Sequence, residues 1–202
     1  MLQKQAVKPE LLELLEELML VNEFTNFNLV GGTALALYAG HRLSVDIDLF
    51  GRSEISPDLF TEILKDKGET IILSQSSKIL IYVINNIKVD FVDYNFQLLE
   101  PVNVIDGIRL VSKKDIAAMK LNAIAGRGSK KDFMDVYQLL NDFSLSEMLT
   151  FYSQKYPNGS EFMVLKSLLY FDDAEIEPDP IMLIPITWSQ VKERILHEVK
   201  EI

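Results

Sequence analysis

The sequence predicts an α+β protein, with a small mixed sheet flanked by helices in its first half and a mostly helical second half. Short runs rich in Ile, Val and Phe alternate with helical patterns in the first half, and beyond Pro101 the apolar residues recur mainly at helical spacing. We therefore expect two domains, an α/β core with an N-terminal helix at residues 1–106 and a helical region at residues 107–202.

The first half contains the elements that build the predicted sheet. A helix is expected at 9–21, because Leu and Met recur there at helical spacing and proline suits a first turn. A strand at 27–30 ends at Gly31-Gly32, and Thr33 is expected to cap a helix that stops at Gly40. The remaining expected elements are strands at 45–50, 70–73, 79–84 and 87–93, with Asn85-Asn86 as a hairpin turn, and a helix at 57–67.

The second half is expected to be helical from Pro101 onward. Capping boxes are predicted at 112–115 and 187–190, and the proline-rich stretch 175–185 is expected to be irregular. The expected helices run over 112–125, 131–140, 146–152 and 160–171 and from 187 onward.

Composition limits the classes of function. Hydrophobic residues make up 48% of the 202 residues, which is enough for a core, and the lack of Cys excludes disulfides and thiolate chemistry. The net charge of −10 argues against a surface built for phosphate backbones, although one cluster of basic residues forms either a local basic patch or a solvated helical face. No leader or membrane-spanning stretch is apparent, so a cytoplasmic protein with no membrane partner is expected. The basic cluster consists of Lys113, Lys114, Lys120, Arg127, Lys130 and Lys131.

Two aspartates one residue apart, Asp46 and Asp48, are the strongest chemical signal. In a strand both carboxylates lie on one face, where they repel each other unless a cation lies between them. Such a pair suits a divalent metal with hard oxygen ligands, and the alternative is an exposed strand with two solvated acids. If the strand of Asp90 lies beside this one, Asp90 completes a group of three carboxylates.

The Gly31-Gly32-Thr33 turn lies between a predicted strand and a predicted helix. Two glycines allow a tight turn, and the N–H groups of a helix N-terminus can receive a phosphate, although such turns are often purely structural. Carboxylates beside a phosphate-binding turn indicate metal-assisted phosphoryl transfer, with Asp90 as a candidate general base.

Three runs of sequence resemble the AbiEii/AbiGii toxin family of the DNA polymerase β-like nucleotidyltransferase superfamily. They are Gly-Gly-Thr-Ala-Leu-Ala-Leu at 31–37, His-Arg-Leu-Ser-Val-Asp-Ile-Asp-Leu-Phe at 41–50, and the stretch 115–140, which contains Lys120, Arg127 and Lys-Asp-Phe-Met-Asp at 131–135. The resemblance covers roughly residues 27–140 and implies a mixed nucleotidyltransferase sheet.

The resemblance also implies roles for individual residues. Asp46, Asp48 and Asp90 would bind Mg²⁺, and Lys120 would contact nucleotide phosphates as a fourth catalytic residue. A second Gly replaces the Ser of the wider superfamily, so a hydroxyl contact would have to come from Thr33. The implied nucleotide-binding residues are Gly31, Gly32, Thr33, Arg42, Ser44, Lys131, Asp132 and Asp135, of which Asp132 and Asp135 have a structural ion pair as the alternative.

The expected activity is transfer of a nucleoside monophosphate from an NTP to a hydroxyl. The resemblance implies a toxin-like protein with Mg²⁺ as cofactor, tRNA as the acceptor and a cognate antitoxin. Because the chain is acidic, a protein or small-molecule acceptor stays open. The alternative is a catalytically silent module of the same fold that binds a nucleotide or a partner.

Overall fold

The computed structural model describes residues 1–202, which group into two compact units. The sheet unit comprises Met1–Tyr38, Ser44–Asn95 and Val102–Val111, and the helical unit comprises Ala39–Leu43, Phe96–Pro101 and Ser112–Ile202. No helix is long and apolar enough to cross a lipid bilayer.

The sheet unit is built on one mixed sheet of seven strands in the order β3-β4-β5-β2-β1-β7-β6. The β2–β5 and β1–β7 pairs are parallel and the other pairs are antiparallel. The strands are β1 Phe27–Leu29, β2 Asp46–Gly51, β3 Thr70–Gln75, β4 Ile79–Ile84, β5 Ile87–Asp93, β6 Asn103–Ile105 and β7 Ile108–Leu110. Its helices are α1 Pro9–Met19, α2 Gly31–Ala39, whose last residue falls in the helical unit, and α3 Pro57–Lys65.

The core of the sheet unit lies on one face of the central strands. Ile47 and Leu49 of β2 are buried on this face, and so are their β5 partners Val89 and Phe91. The ring of Phe91 contacts those of Phe24, Phe27, Phe60 and Tyr82, which join β5 to α3 and β4. Because side chains alternate along a strand, the opposite face carries the residues between these apolar positions.

The helical unit contains six helices, of which α4 is the central one. Helices α5, α6 and α7 lie against α4, and α9 lies against α5 and α7. The helices are α4 Lys113–Gly126, α5 Lys130–Leu139, α6 Leu145–Lys155, α7 Glu161–Leu168, α8 Asp172–Glu175 and α9 Trp188–Lys200.

The predicted α+β class is confirmed, as are the Asn85-Asn86 turn, both of whose residues have positive φ, and the capping box at the start of α9. The stretch 175–185 is irregular between α8 and α9, as predicted. At the start of α4, Ser112 accepts the Asp115 N–H.

Two local predictions are wrong. The helix after Gly31-Gly32 begins at Gly31, so Thr33 lies inside α2 and does not cap it. The chain after Pro101 first forms the β6–β7 hairpin, whose turn is Asp106-Gly107, and becomes helical only at Lys113. The predicted division at residue 106 falls in this hairpin turn, and it stays a prediction.

Candidate active site

Three carboxylates lie on the open face of the two central parallel strands. Asp48 of β2 is paired with Asp90 of β5, and Asp46 is paired with Lys88. All four alternate with buried apolar residues, so they share the face opposite the core. The strand of Asp90 thus lies directly beside the acidic strand, which is the condition under which Asp90 shares the face of Asp46 and Asp48.

Gly31 brings the start of α2 against Asp48. A Cβ on Gly31 would lie 2.6 Å from Oδ2 of Asp48, and the glycine has a φ of 68°. Only glycine combines this backbone conformation with so close an approach at little cost. The N–H groups in the first turn of a helix have no partners within the helix. In α2 this first turn therefore lies beside the Asp48 side chain.

Thr33 and Ser44 connect α2 to the start of β2. Their hydroxyl oxygens are 2.8 Å apart, and the Thr33 hydroxyl also donates to the carbonyl oxygen of Asp46. Both residues are buried. The Thr33 hydroxyl is thus already engaged in fixing the backbone that carries Asp46, and its predicted contact with a triphosphate remains a prediction.

Asp90 is held by an ion pair with Lys88 on the same strand. The Lys88 ammonium lies 2.5 Å from Oδ2 of Asp90. The other carboxylate oxygen, Oδ1, is buried and has no hydrogen-bond partner. Asp90 therefore has one carboxylate oxygen, Oδ2, paired with Lys88, and one, Oδ1, without a hydrogen-bond partner.

The donor chemistry of this face fits a hard divalent cation. Asp46, Asp48 and Asp90 supply only carboxylate oxygens, which Mg²⁺ prefers, and Oδ1 of Asp90 is an unused acceptor. The predicted three-carboxylate group is not preassembled, however, because the structure contains no three acidic or histidine side chains arranged to hold a metal ion. Repulsion between carboxylates explains this, since Lys88 supplies the cation that Asp90 requires.

The helical unit contains a buried ionic cluster centred on Asp135. The guanidinium of Arg42 donates to both oxygens of Asp135 at 2.7 and 2.8 Å, and Nζ of Lys120 lies 2.6 Å from Oδ2. Nε2 of His41 lies 2.8 Å from Oδ1 and therefore carries the proton in this contact, while its Nδ1 is buried without a partner. The cluster joins the segment before β2 to α4 and α5.

Asp132 extends this cluster by one helical turn. It receives hydrogen bonds from Lys120 at 2.8 Å, from Arg127 at 2.9 Å and from the Ser129 hydroxyl at 2.7 Å. The alternative of a structural ion pair, which the sequence left open for Asp132 and Asp135, agrees with these contacts.

The cluster shifts the acidity of its members. Burial alone would raise the pKa of Asp135, but Arg42 and Lys120 together hold it well below its ordinary value. Burial also opposes ionisation of Asp132, and Lys120 and Arg127 outweigh it, so that this pKa is lowered too. Burial would lower the pKa of Lys120, but Asp135 and Asp132 raise it above its ordinary value. All three groups are therefore charged at neutral pH.

The predicted site residues thus fall into two sets. Gly31, Gly32, Thr33, Ser44 and the three strand aspartates belong to the sheet unit, whereas the others belong to the helical unit. In the helical unit Lys120 and Arg42 are buried against carboxylates, and Lys131 is exposed on α5. Their roles in nucleotide binding remain predictions. The helical-unit set is Arg42, Lys120, Lys131, Asp132 and Asp135.

The basic cluster predicted from the sequence is largely neutralised. Lys113 pairs with Asp142 and Lys114 with Glu100, and Lys130 is buried and bonded to the 175–179 segment. Together with the pairs of Lys120 and Arg127 described above, these contacts argue against a continuous basic patch.

The sequence analysis missed Lys88, which could have been found because the period of two places it on the face of Asp90. His41 belongs to the run 41–50, and a structural or substrate-edge role is expected for it. Its pairing with Asp135 could not be predicted, because no spacing rule links two residues 94 positions apart.

Comparisons with known proteins agree with this fold. The chain is 39% identical to protein aq_aa25 of Aquifex aeolicus over 203 aligned positions, which cover 96% of this chain and 97% of the relative. Its fold is similar to JHP933 from Helicobacter pylori, with a TM-score of 0.59, 18% identity and coverage of 95% and 88% of the two chains. It is also similar to MenT4, a nucleotidyltransferase toxin from Mycobacterium tuberculosis, with a TM-score of 0.60, 14% identity and coverage of 96% and 83%.

The family comparison covers nearly the whole chain. Residues 13–201 match the model described as the nucleotidyl transferase AbiEii toxin of a type IV toxin–antitoxin system. This range includes every residue of the carboxylate face, the glycine turn and the ionic cluster. The chain belongs to the AbiEii nucleotidyltransferase toxin family.

Proposed function

We propose that this nucleotidyltransferase moves a nucleoside monophosphate from an NTP to a hydroxyl acceptor at the carboxylate face. The observation that carries the proposal is the approach of Asp48 to Gly31, which places the start of α2 beside an acidic pair on β2. A helix N-terminus favours phosphate groups, and adjacent carboxylates favour the cation that accompanies them.

The reaction requires a hydroxyl oxygen to attack the α-phosphorus. The bond from this phosphorus to the oxygen that bridges to the β-phosphate breaks, and pyrophosphate leaves with the bonding electrons. The hydroxyl proton needs an acceptor, and Oδ1 of Asp90 is our candidate because it is buried and has no hydrogen-bond partner. Gly31 and Gly32 would position the triphosphate through the N–H groups of the first turn of α2.

Mg²⁺ would be held by Asp46 and Asp48, with Asp90 as the third carboxylate. When bound, it neutralises charge on the phosphate oxygens of the substrate and of the transition state. Asp90 would have to exchange Lys88 for the ion, since Lys88 occupies Oδ2.

We propose tRNA as the first acceptor to test and an antitoxin encoded with this chain as its regulatory partner. Membership in a family described as the toxin of a type IV toxin–antitoxin system supports the antitoxin, and tRNA is the acceptor that the family resemblance implies. The formal net charge of −10 makes an extended RNA-binding surface unfavourable, so a protein acceptor is the second arm of the test.

The test uses the four α-³²P-labelled NTPs with Mg²⁺ and either purified tRNA or a protein extract. We expect one acceptor class to become labelled, and the label to be released by ribonuclease or by protease accordingly. Asp46→Asn and Asp48→Asn should abolish labelling. Asp93→Asn is the matched control, because Asp93 lies on β5 but on the other face, and it should label normally.

Labelling that persists in both Asp46→Asn and Asp48→Asn would contradict the assignment of the carboxylate face. The same is true if Asp93→Asn lost activity as completely as the two site variants while remaining folded.

A further inference from the structure

Lys88 is a basic residue within the acidic face, and the family description assigns it no role. Its position on β5 is paired with that of Asp46 on β2, and it precedes Asp90 by two residues. Its side chain is 39% exposed, and its ammonium contacts Oδ2 of Asp90, whose side chain is 16% exposed. The ammonium therefore contacts the acidic face at Asp90 and does not extend to a distant surface.

We propose that Lys88 is a positioning residue that acts as a built-in cation for this site. In the protein without metal it holds Asp90, and it competes with a divalent cation for the Asp90 carboxylate. This inference rests on the proposed function, because it assumes that the same carboxylates bind the metal.

The charges on this face explain why such a residue is useful. Three carboxylates on adjacent strands repel one another. Lys88 offsets one of the three negative charges before metal and substrate arrive. The cost is weaker metal binding, because the ion must displace an ammonium from one ligand.

A metal ion could also replace Lys88 at the Asp90 carboxylate. An ammonium group is a compact point charge on a flexible stem, so it can leave Asp90 without a change in the backbone. The ordered strand pairing on both sides of Lys88 keeps Asp90 in place while its partner changes.

The experiment measures Mn²⁺ binding to the full chain by calorimetry, without NTP or acceptor. Lys88→Met and Lys88→Gln remove the competing charge and should tighten Mn²⁺ binding by at least about fivefold. Lys88→Arg keeps the charge and should bind Mn²⁺ about as weakly as the unaltered chain. Lys65→Met is the matched control, since Lys65 is an exposed lysine of α3 in the same unit, and it should leave affinity unchanged.

A second readout separates this role from a purely structural one. In EDTA, Lys88→Met should melt at a lower temperature than the unaltered chain, because the three carboxylates lose their internal cation. Saturating Mn²⁺ should remove or reverse this difference. A merely structural lysine would leave the same deficit with and without the ion.

The outcomes distinguish this inference from the proposed function. If the unaltered chain and Lys88→Met both fail to bind Mn²⁺, the proposed metal site is wrong and this inference falls with it. If the unaltered chain binds Mn²⁺ and loses it in Asp48→Asn, while both charge-removing Lys88 variants bind with equal or lower affinity, only the role of Lys88 is overturned.

Discussion

At the scale of single residues, Gly31 decides whether Asp48 can approach the start of α2. Gly31→Ala would place a methyl group 2.6 Å from the position of Oδ2. Because a carboxylate at the end of a flexible side chain can move, the cost should appear mainly in catalysis. We expect a loss of at least about tenfold in the rate of nucleotidyl transfer, measured at saturating NTP, because small misplacements of reacting groups have large effects.

Gly107→Ala is the control for the backbone strain of this substitution. Gly107 also has positive φ, of 80°, but an added Cβ would meet nothing within 4 Å. Both variants should lose about 1–2 kcal/mol of unfolding free energy from the strained conformation. Equal rates of transfer in the two variants would show that contact between Gly31 and Asp48 is unimportant.

Asp135 is the residue whose loss should destabilise the helical unit most. Asp135→Asn puts an uncharged amide beside the buried guanidinium of Arg42 and leaves Lys120 paired with Asp132 alone among these acids. We expect a loss of about 3–5 kcal/mol, measured by urea unfolding, because a buried charge without compensation is costly. Asp142→Asn breaks a half-exposed pair with Lys113 and should cost less than about 1 kcal/mol. A similar small cost at both positions would contradict the structural importance of the cluster.

The sequence was informative where the spacing of residues along one strand determines which face each side chain lies on. The alternation of Asp46 and Asp48 with apolar residues predicted their shared face, and the same rule applied to Asp90. The sequence provided no information on the ion pair between Asp135 and Arg42, because a contact across 93 positions depends on how the helices pack. The acidic pair at 132 and 135 was therefore visible, but its partners were not.

At the scale of elements, α6 offers a direct test of helix capping. Ser144 accepts the N–H of Glu147, and the Glu147 carboxylate accepts the N–H of Ser144, so the pair forms a complete capping box. Ser144→Ala should lower the unfolding free energy by about 1 kcal/mol in urea unfolding. Ser146→Ala, an exposed change in the first turn of the same helix, should have little effect. Equal costs would indicate that the box contributes nothing beyond helix propensity.

The hairpin of β6 and β7 shows why some elements escaped prediction. Each strand has only three residues, too few for a period to be counted. The Asp106-Gly107 pair is a good hairpin signal, although the predicted domain boundary lies at the same position. Arg109 fixes the hairpin by donating hydrogen bonds to the carbonyl oxygens of Met19, Phe24 and Phe27. No local sequence pattern predicts these contacts.

At the scale of the whole molecule, the ionic cluster should make the free energy of unfolding depend on pH. Asp132 and Asp135 have lower pKa values in the folded chain than the ordinary value of about 4 expected for an unfolded one. Their stabilisation is therefore complete above about pH 4 and is lost as the pH falls toward the lowered values. The melting temperature should therefore decline mainly as the pH falls from about 4 to about 2.

Asp132→Asn provides the comparison for this dependence. The variant lacks one carboxylate with a lowered pKa, so its unfolding free energy should start lower at neutral pH and change less between about pH 4 and pH 2. Parallel curves for the two proteins, from urea unfolding at each pH, would contradict the lowered pKa of Asp132.

The most direct measurement of the central claim is a crystal structure with Mn²⁺ and a non-hydrolysable NTP analogue, using the anomalous signal of manganese. The account predicts an anomalous peak bounded by Asp46, Asp48 and Asp90, with the triphosphate against the Gly31-Gly32 turn and Lys88 moved from Asp90. Manganese and triphosphate bound together at any other place, with Asp90 still paired to Lys88, would contradict it.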